Sequence, residues 1–345
     1  MKAHSYPEHR NADSVTKRYL HKRGITSTSP LTSVSGDIIY CMCEQYSLGT
    51  LSFKGVVGLV TKDNSALAPT VDGIMGLWYF PKGASVPILN VLKNSSMLTQ
   101  PQIGVWLKGA NTSASPNPNS NPTTEPNAPG GEITFGGADP QRYSGDISYV
   151  DCEGDSPWTI PVGEMTVNGQ TINTSGAMAT LDTGTSLMLV SQTVSDAINS
   201  AIPGAIRDPQ VGWFLPCTGN YPITITFGTR KVTIPYTALA VQDQTATTDD
   251  GSLVCLSAAM YPTGETAVIS NWLLGDAFLK NVYTVFDFST PKGKIGLASL
   301  ASNITSNSVN DTDNNAATGG RRGMMSSSNV LQALSVVAGL LIALA

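Results

Sequence analysis

Short alternations of apolar and polar residues run along most of the chain, and few of them last long enough for a helix. Residues 48–79 read as strands broken by glycine turns, in LGTLSFKGVVGLVT and then VDGIMGLWYF. GGEITFGGAD, PWTIPVGEMTVNGQTI (a hairpin pattern), YPITITFGTRKVTIP and LVCLSAAM continue in the same style. Two stretches carry a helical spacing instead. One begins near Ser85, opened by Val86-Pro87-Ile88-Leu89, with Val91 and Leu92 on its buried face. The other is SQTVSDAINSAI, where Ser191 is placed to cap and Val194, Ile198 and Ala201 recur on one side. The pattern predicts an all-β protein with a few short helices.

Three segments depart from that rhythm. Residues 111–131, NTSASPNPNSNPTTEPNAPGG, hold too little apolar surface to fold and read as an exposed loop between two strands. Residues 302–329 are a Ser/Thr/Asn-rich stalk, and Val330–Ala345 is an uncharged apolar tail. As a helix that tail would span about 24 Å, short of a bilayer core. A small-residue stretch, Asn315 to Gly320, then a polar spacer and an apolar end is the pattern of a glycosylphosphatidylinositol-anchor signal. A tail-anchoring or buried C-terminal helix is the other reading. Residues 1–24 form a basic, pro-segment-like tail with Lys17-Arg18 and Lys22-Arg23, and contain no apolar signal region.

Composition narrows the chemistry. The 345 residues carry 20 Lys+Arg against 25 Asp+Glu, a net charge of −5, which gives no reason to expect nucleic acid. The three histidines, His4, His9 and His21, all stand before residue 22. A Ser-His-Asp triad or a histidine-ligated zinc site in the body of the chain is therefore excluded. The five cysteines, Cys41, Cys43, Cys152, Cys217 and Cys255, include no repeated C-x-x-C pair, which argues against a zinc ribbon. Asn94, Asn111, Asn173, Asn303 and Asn310 begin N-x-[ST] acceptors, as suits a secreted glycoprotein. Catalysis would have to rest on carboxylates, hydroxyls or backbone groups.

Asp182-Thr183-Gly184-Thr185-Ser186 lies between the apolar runs AMATL and LMLV. A carboxylate at the end of a buried strand is costly unless hydrogen bonds meet its charge. The N–H of Gly184 can approach it closely, and the hydroxyl of Thr185 can donate to it. Thr183 could turn inward to brace the strand. A bare D-T-G can also be only a turn, with Asp182 bonded to its own backbone. Elsewhere, Asp72-Gly73-Ile74-Met75-Gly76-Leu77 and Leu273-Leu274-Gly275-Asp276 each set two apolar residues before a glycine, a hint of duplication.

With these residues in view the chain resembles the pepsin-type aspartic endopeptidases, including fungal GPI-anchored members. ATLDTGTSLMLV resembles the second catalytic strand, and WLLGDAFLKNVYTVFD the segment whose Leu273, Leu274 and Gly275 support it. VDGIMGL resembles the matching support in the first lobe, and GGEITFGGADPQRYSGDISYV the passage between lobes. The resemblance implies a bilobal pepsin-like fold. A partial first lobe would occupy 25–150 and a second lobe 151–301. It implies a Cys217–Cys255 disulfide, a monomer, peptide or protein substrates, and no metal or organic cofactor. It also implies two aspartates sharing a proton and holding a water, with Asp182 as the second. No other D-T-G or D-S-G occurs in the sequence. Residues Val34-Ser35-Gly36 would be the far end of a flap hairpin, and the first catalytic strand is missing before them. The expectation is an endopeptidase that has lost an N-terminal piece, inactive as written. The alternative is a catalytically dead, pepsin-like surface binding protein.

Overall fold

The computed structural model describes residues 32–35, 38–48, 51–60, 73–79, 87–108, 130–154, 156–241, 247–248, 251–262, 270–302 and 341–344. Strands dominate. The first stretch holds β1 (Thr32–Ser35), β2 (Ile38–Leu48), β3 (Leu51–Val60) and β4 (Gly73–Gly76), then helix α1 (Ile88–Asn94). Next come β5 (Gln102–Leu107), β6 (Gly131–Phe135), β7 (Tyr143–Asp151), β8 (Thr159–Pro161), β9 (Met165–Val167) and β10 (Gln170–Ile172). β11 (Met178–Leu181) and β12 (Met188–Leu189) precede helix α2 (Gln192–Ser200). β13 (Ile206–Asp208), β14 (Gly212–Pro216), β15 (Ile223–Phe227) and β16 (Arg230–Ile234) follow. After the short helix α3 (Tyr236–Leu239) come β17 (Ala240–Val241), β18 (Val254–Ser257), β19 (Ala259–Met260) and β20 (Trp272–Leu274). One-turn helix α4 (Asp276–Leu279), β21 (Tyr283–Asp287), β22 (Lys294–Leu300) and β23 (Leu341–Leu344) complete the order.

The strands form where residue chemistry alternates. In β15, Ile223, Ile225 and Phe227 are buried while the threonines between them are half-buried, and β16 pairs with it from Ile223↔Ile234 to Phe227↔Arg230. Two sheets matter most for the site. One has the order β19-β12-β20-β11-β8 and carries the segment around Asp182. The other, β6-β5-β21-β22-β7, joins strands from residues 102–151 to strands from residues 283–300. Its middle strand β21 is buried at every position. Cys217 and Cys255 are joined by a disulfide, Cα atoms 5.0 Å apart, across β14 and β18. Cys152 is free and buried, and its thiol is pushed up to about 12 by that burial.

Three sequence expectations need correction. The first helix begins at Ile88, because Pro87 is extended (φ −57°, ψ 150°) immediately before it. Its buried residues are Leu89 and Leu92, spaced i,i+3, with Val91 half-buried. PWTIPVGEMTVNGQTI is not one hairpin. Only β9 and β10 form one, around Asn168-Gly169, both at positive φ (49° and 76°) as a tight two-residue turn requires. The TIP portion instead pairs with β11, the strand that leads to Asp182. Lastly, Ala201 sits beyond the end of α2 as its C-cap, although Ser191 caps as expected by accepting from the Val194 N–H at 3.4 Å.

Residues 111–129 of the expected loop join β5 and β6, which pair antiparallel, but themselves lie outside the described residues. The basic segment 1–24 and the stalk after Ser302 lie outside them as well. Of the apolar tail, Leu341–Leu344 runs as a strand antiparallel to β4, from Leu341↔Gly76 to Leu344↔Gly73. No helix among the described residues is long and apolar enough to cross a membrane.

Candidate active site

Asp182 stands one residue past β11, at the end of a strand whose last three residues are buried. β11 runs parallel to β20, with Leu181 opposite Leu274, and antiparallel to β8, with Thr180 opposite Thr159. The Asp182 N–H continues that ladder by donating to the Leu274 carbonyl at 3.1 Å. The chain then loops through Thr183, Gly184, Thr185 and Ser186 and returns as β12 on the other side of β20, with Met188 opposite Leu274. Asp182 is thereby held at the C-terminal end of an interior strand that is paired on both flanks.

Gly275 makes the loop possible. Its N–H donates to Leu187 at 3.0 Å, and the next two amides, of Asp276 and Ala277, donate to Thr185 (2.8 Å) and Ser186 (3.0 Å). A Cβ on Gly275 would lie 1.9 Å from the Thr185 carbonyl oxygen and 2.6 Å from that of Leu187. Both obstacles are backbone, so only glycine fits. Leu273 and Leu274 point to opposite faces, as strand alternation dictates. Leu274 joins the main core, while Leu273 joins a small apolar cluster with Leu189, Leu256 and Met260.

The Asp182 side chain has no exposed surface. Each carboxylate oxygen takes one local hydrogen bond: Oδ1 from the Gly184 N–H at 2.9 Å and Oδ2 from the Thr185 hydroxyl at 2.7 Å. Burial raises its pKa above the ordinary carboxylate value, and the two donors oppose that rise. The charge of Asp276 adds to it. Asp276 is itself shifted upward by burial and is paired with Lys280 at 3.6 Å. A carboxyl in this balance keeps its proton to a higher pH than a solvent-exposed one would.

The described residues bring Asp182, Thr183, Gly184, Thr185, Leu273, Leu274 and Gly275 into one unit. Asn94 and Asn173 are exposed, Asn94 at the end of α1 and Asn173 just past β10. Asn111, Asn303 and Asn310 lie outside the described residues. The Asp72 side of the duplicated motif is only partly described, with Gly73–Gly76 as β4. Among the described residues no cluster of three or more His, Cys, Asp or Glu could hold a metal. Two further interactions act on the strand and its carboxylate. The Thr159 and Thr180 hydroxyls pair at 2.7 Å beneath the strand, and Asp276 acts electrostatically on Asp182. The second was within reach of the sequence alone, because Asp276 directly follows the motif glycine.

The family model for "Eukaryotic aspartyl protease" matches residues 31–300, so the chain belongs to that family, the pepsin family. A relative from Arthroderma otae, "Probable aspartic-type endopeptidase CTSD", is 28% identical over 304 residues, covering 84% of this chain and 74% of the relative. Its namesake from Trichophyton verrucosum is 31% identical over 260 residues, 72% of this chain and 46% of the relative. Cathepsin D of Clupea harengus is 31% identical over 225 residues, 64% of this chain and 52% of that protein. Against the last two the chain spans about half the length of the relative it matches.

Proposed function

We propose that this protein is an aspartic endopeptidase of the secretory pathway or cell surface, and that Asp182 is one of its two working carboxylates. The observation carrying the reading is a wholly buried Asp182, each oxygen met by a single donor, in a chain of the aspartyl protease family. Two such carboxylates facing each other cannot both ionise, so they share a proton and hold a water. The ionised member takes a proton as the water attacks a peptide carbonyl, and the protonated member supplies one to the product side. Thr185 and Gly184 hold Asp182 in place, with Thr183 bracing the strand and Leu273, Leu274 and Gly275 supporting it from below.

The second carboxylate has no D-[ST]-G counterpart in these 345 residues. In this proposal it belongs to a longer form of the chain, and the 345-residue chain alone does not cleave. Incubation of the purified chain with a denatured protein at acidic pH should leave the substrate intact. Pepstatin-sensitive cleavage by this chain alone would overturn the division of labour and point to two copies of Asp182 meeting in a dimer.

The anchor reading completes the proposal: 25–150 and 151–301 as the two lobes, lipid attached within Asn315 to Gly320, and sugars on the N-x-[ST] asparagines. Phosphatidylinositol-specific phospholipase C should release the cell-surface protein. Retention after treatment, with the 330–345 peptide still present, would favour a tail that stays in the membrane.

A further inference from the structure

One residue beside the Asp182 strand sits in a backbone conformation that its side chain does not favour. Trp158 is fully buried and has φ of +60°, in the left-handed region that bulky residues rarely enter. Such a conformation persists only where the surroundings over-determine it. Here they do so at three points. The Trp158 carbonyl accepts the N–H of Leu181, the residue before Asp182, at 3.1 Å. Its indole N–H donates to the Leu77 carbonyl at 2.9 Å, with both groups buried. Its ring meets Phe286 edge-on, centroids 5.1 Å apart, and lies 6.2 Å from the ring of Tyr79.

The Leu77–Tyr79 segment, which follows β4, is also held by Lys93 of α1. Its ammonium donates to the Tyr79 hydroxyl at 3.1 Å, to the Phe288 carbonyl at 2.6 Å and to the Ser289 carbonyl at 3.2 Å. It also stands 5.2 Å from the centre of the Tyr79 ring, which packs on Phe288 at 5.8 Å. All three ammonium donors are committed to fixed neutral acceptors. Lys93 is half-buried, so these bonds replace lost hydration and at the same time fix the spacing of the parts it joins.

We propose that Trp158 is a positioning residue for Asp182. It ties the Asp182 strand to the Leu77–Tyr79 segment, and Lys93 ties that segment to the Phe288–Ser289 backbone. The inference rests on the reading of Asp182 as a working carboxylate, and concerns how its strand is registered against the chain following β4. Loss of either grip would let the strand end breathe and admit water to Asp182.

Two readouts on the full chain test this, both by NMR: amide exchange at Leu181 and the titration of the Asp182 carboxyl. Trp158→Phe keeps an aromatic ring and deletes the donor to Leu77. Leu181 exchange should speed up about tenfold, the weight of one buried hydrogen bond. The Asp182 midpoint should move down toward the ordinary carboxylate range as burial is relieved. Lys93→Met should shift both readouts in the same direction, and it serves if Trp158→Phe does not fold. Val232→Ala, in the edge strand β16 of a different sheet, should lower the melting temperature and leave both readouts unchanged. Unchanged Leu181 exchange in the Trp158 and Lys93 variants would overturn the proposal. So would an equal response to Val232→Ala, which would mean general softening. If a longer form carrying a D-[ST]-G motif cleaves peptides equally well with and without Asp182→Asn while Leu181 still responds, the peptidase reading falls and the clamp stands.

Discussion

Asp182 is held between two opposed demands: a site without water, which favours the neutral acid, and two donors, which favour the anion. Burial wins, so the folded carboxyl titrates above its unfolded value. The sign of the stability effect follows. Stability from binding the proton is fully present below the unfolded pKa and is lost as pH rises through the folded one. At neutral pH the buried anion therefore weakens the fold. Asp182→Asn keeps the shape, and the Thr185 hydroxyl can turn to accept where it donated. Its melting temperature should exceed that of the parent by a few degrees at neutral pH and match it in strongly acidic buffer. Thermal unfolding across that range checks this. If Asp182→Asn proved less stable than the parent at neutral pH and equal to it in strong acid, the donors, rather than burial, would decide the balance.

Among elements, legibility followed how local the cause was. The β15–β16 hairpin and the capped helix α2 could be read directly, because alternating Ile/Thr/Phe and a Ser191 cap act within a few residues. The loop of Asp182 was legible for the same reason: its donors, Gly184 and Thr185, are two and three residues away. The destination of Thr159–Pro161 was not, because a three-residue buried run carries no record of which distant strand it joins. It pairs with β11 because the Asn168-Gly169 turn closes the neighbouring hairpin without it. The start of α1 was misjudged for a backbone reason, the extended Pro87, which apolar spacing does not register. Trp158 and Lys93 were invisible as site residues, since each acts through partners remote in sequence: Leu77 is 81 residues from Trp158, and Phe288 is 195 from Lys93. Gly275 lies between these cases. Its motif was apparent, but the close approach to Thr185 and Leu187 that demands glycine belongs to the folded sheet alone.

For the whole molecule, the described residues join into one main core from Leu77 to Leu297, and the sheet through β21 draws its strands from residues 102–151 and 283–300. A site anchored in that core needs only a second carboxylate opposite Asp182 to become the proton-sharing pair proposed above. The central claim is that Asp182 does half of the chemistry and that nothing else in this chain replaces it. The most direct measurement is peptide cleavage at acidic pH by a form of the protein extended to include a D-[ST]-G motif, with and without Asp182→Asn. The account predicts that the extended form cleaves and that the substitution lowers turnover by about a thousandfold or more, because one carboxylate cannot serve as both acid and base. Cleavage that survives Asp182→Asn at the parent rate would contradict it.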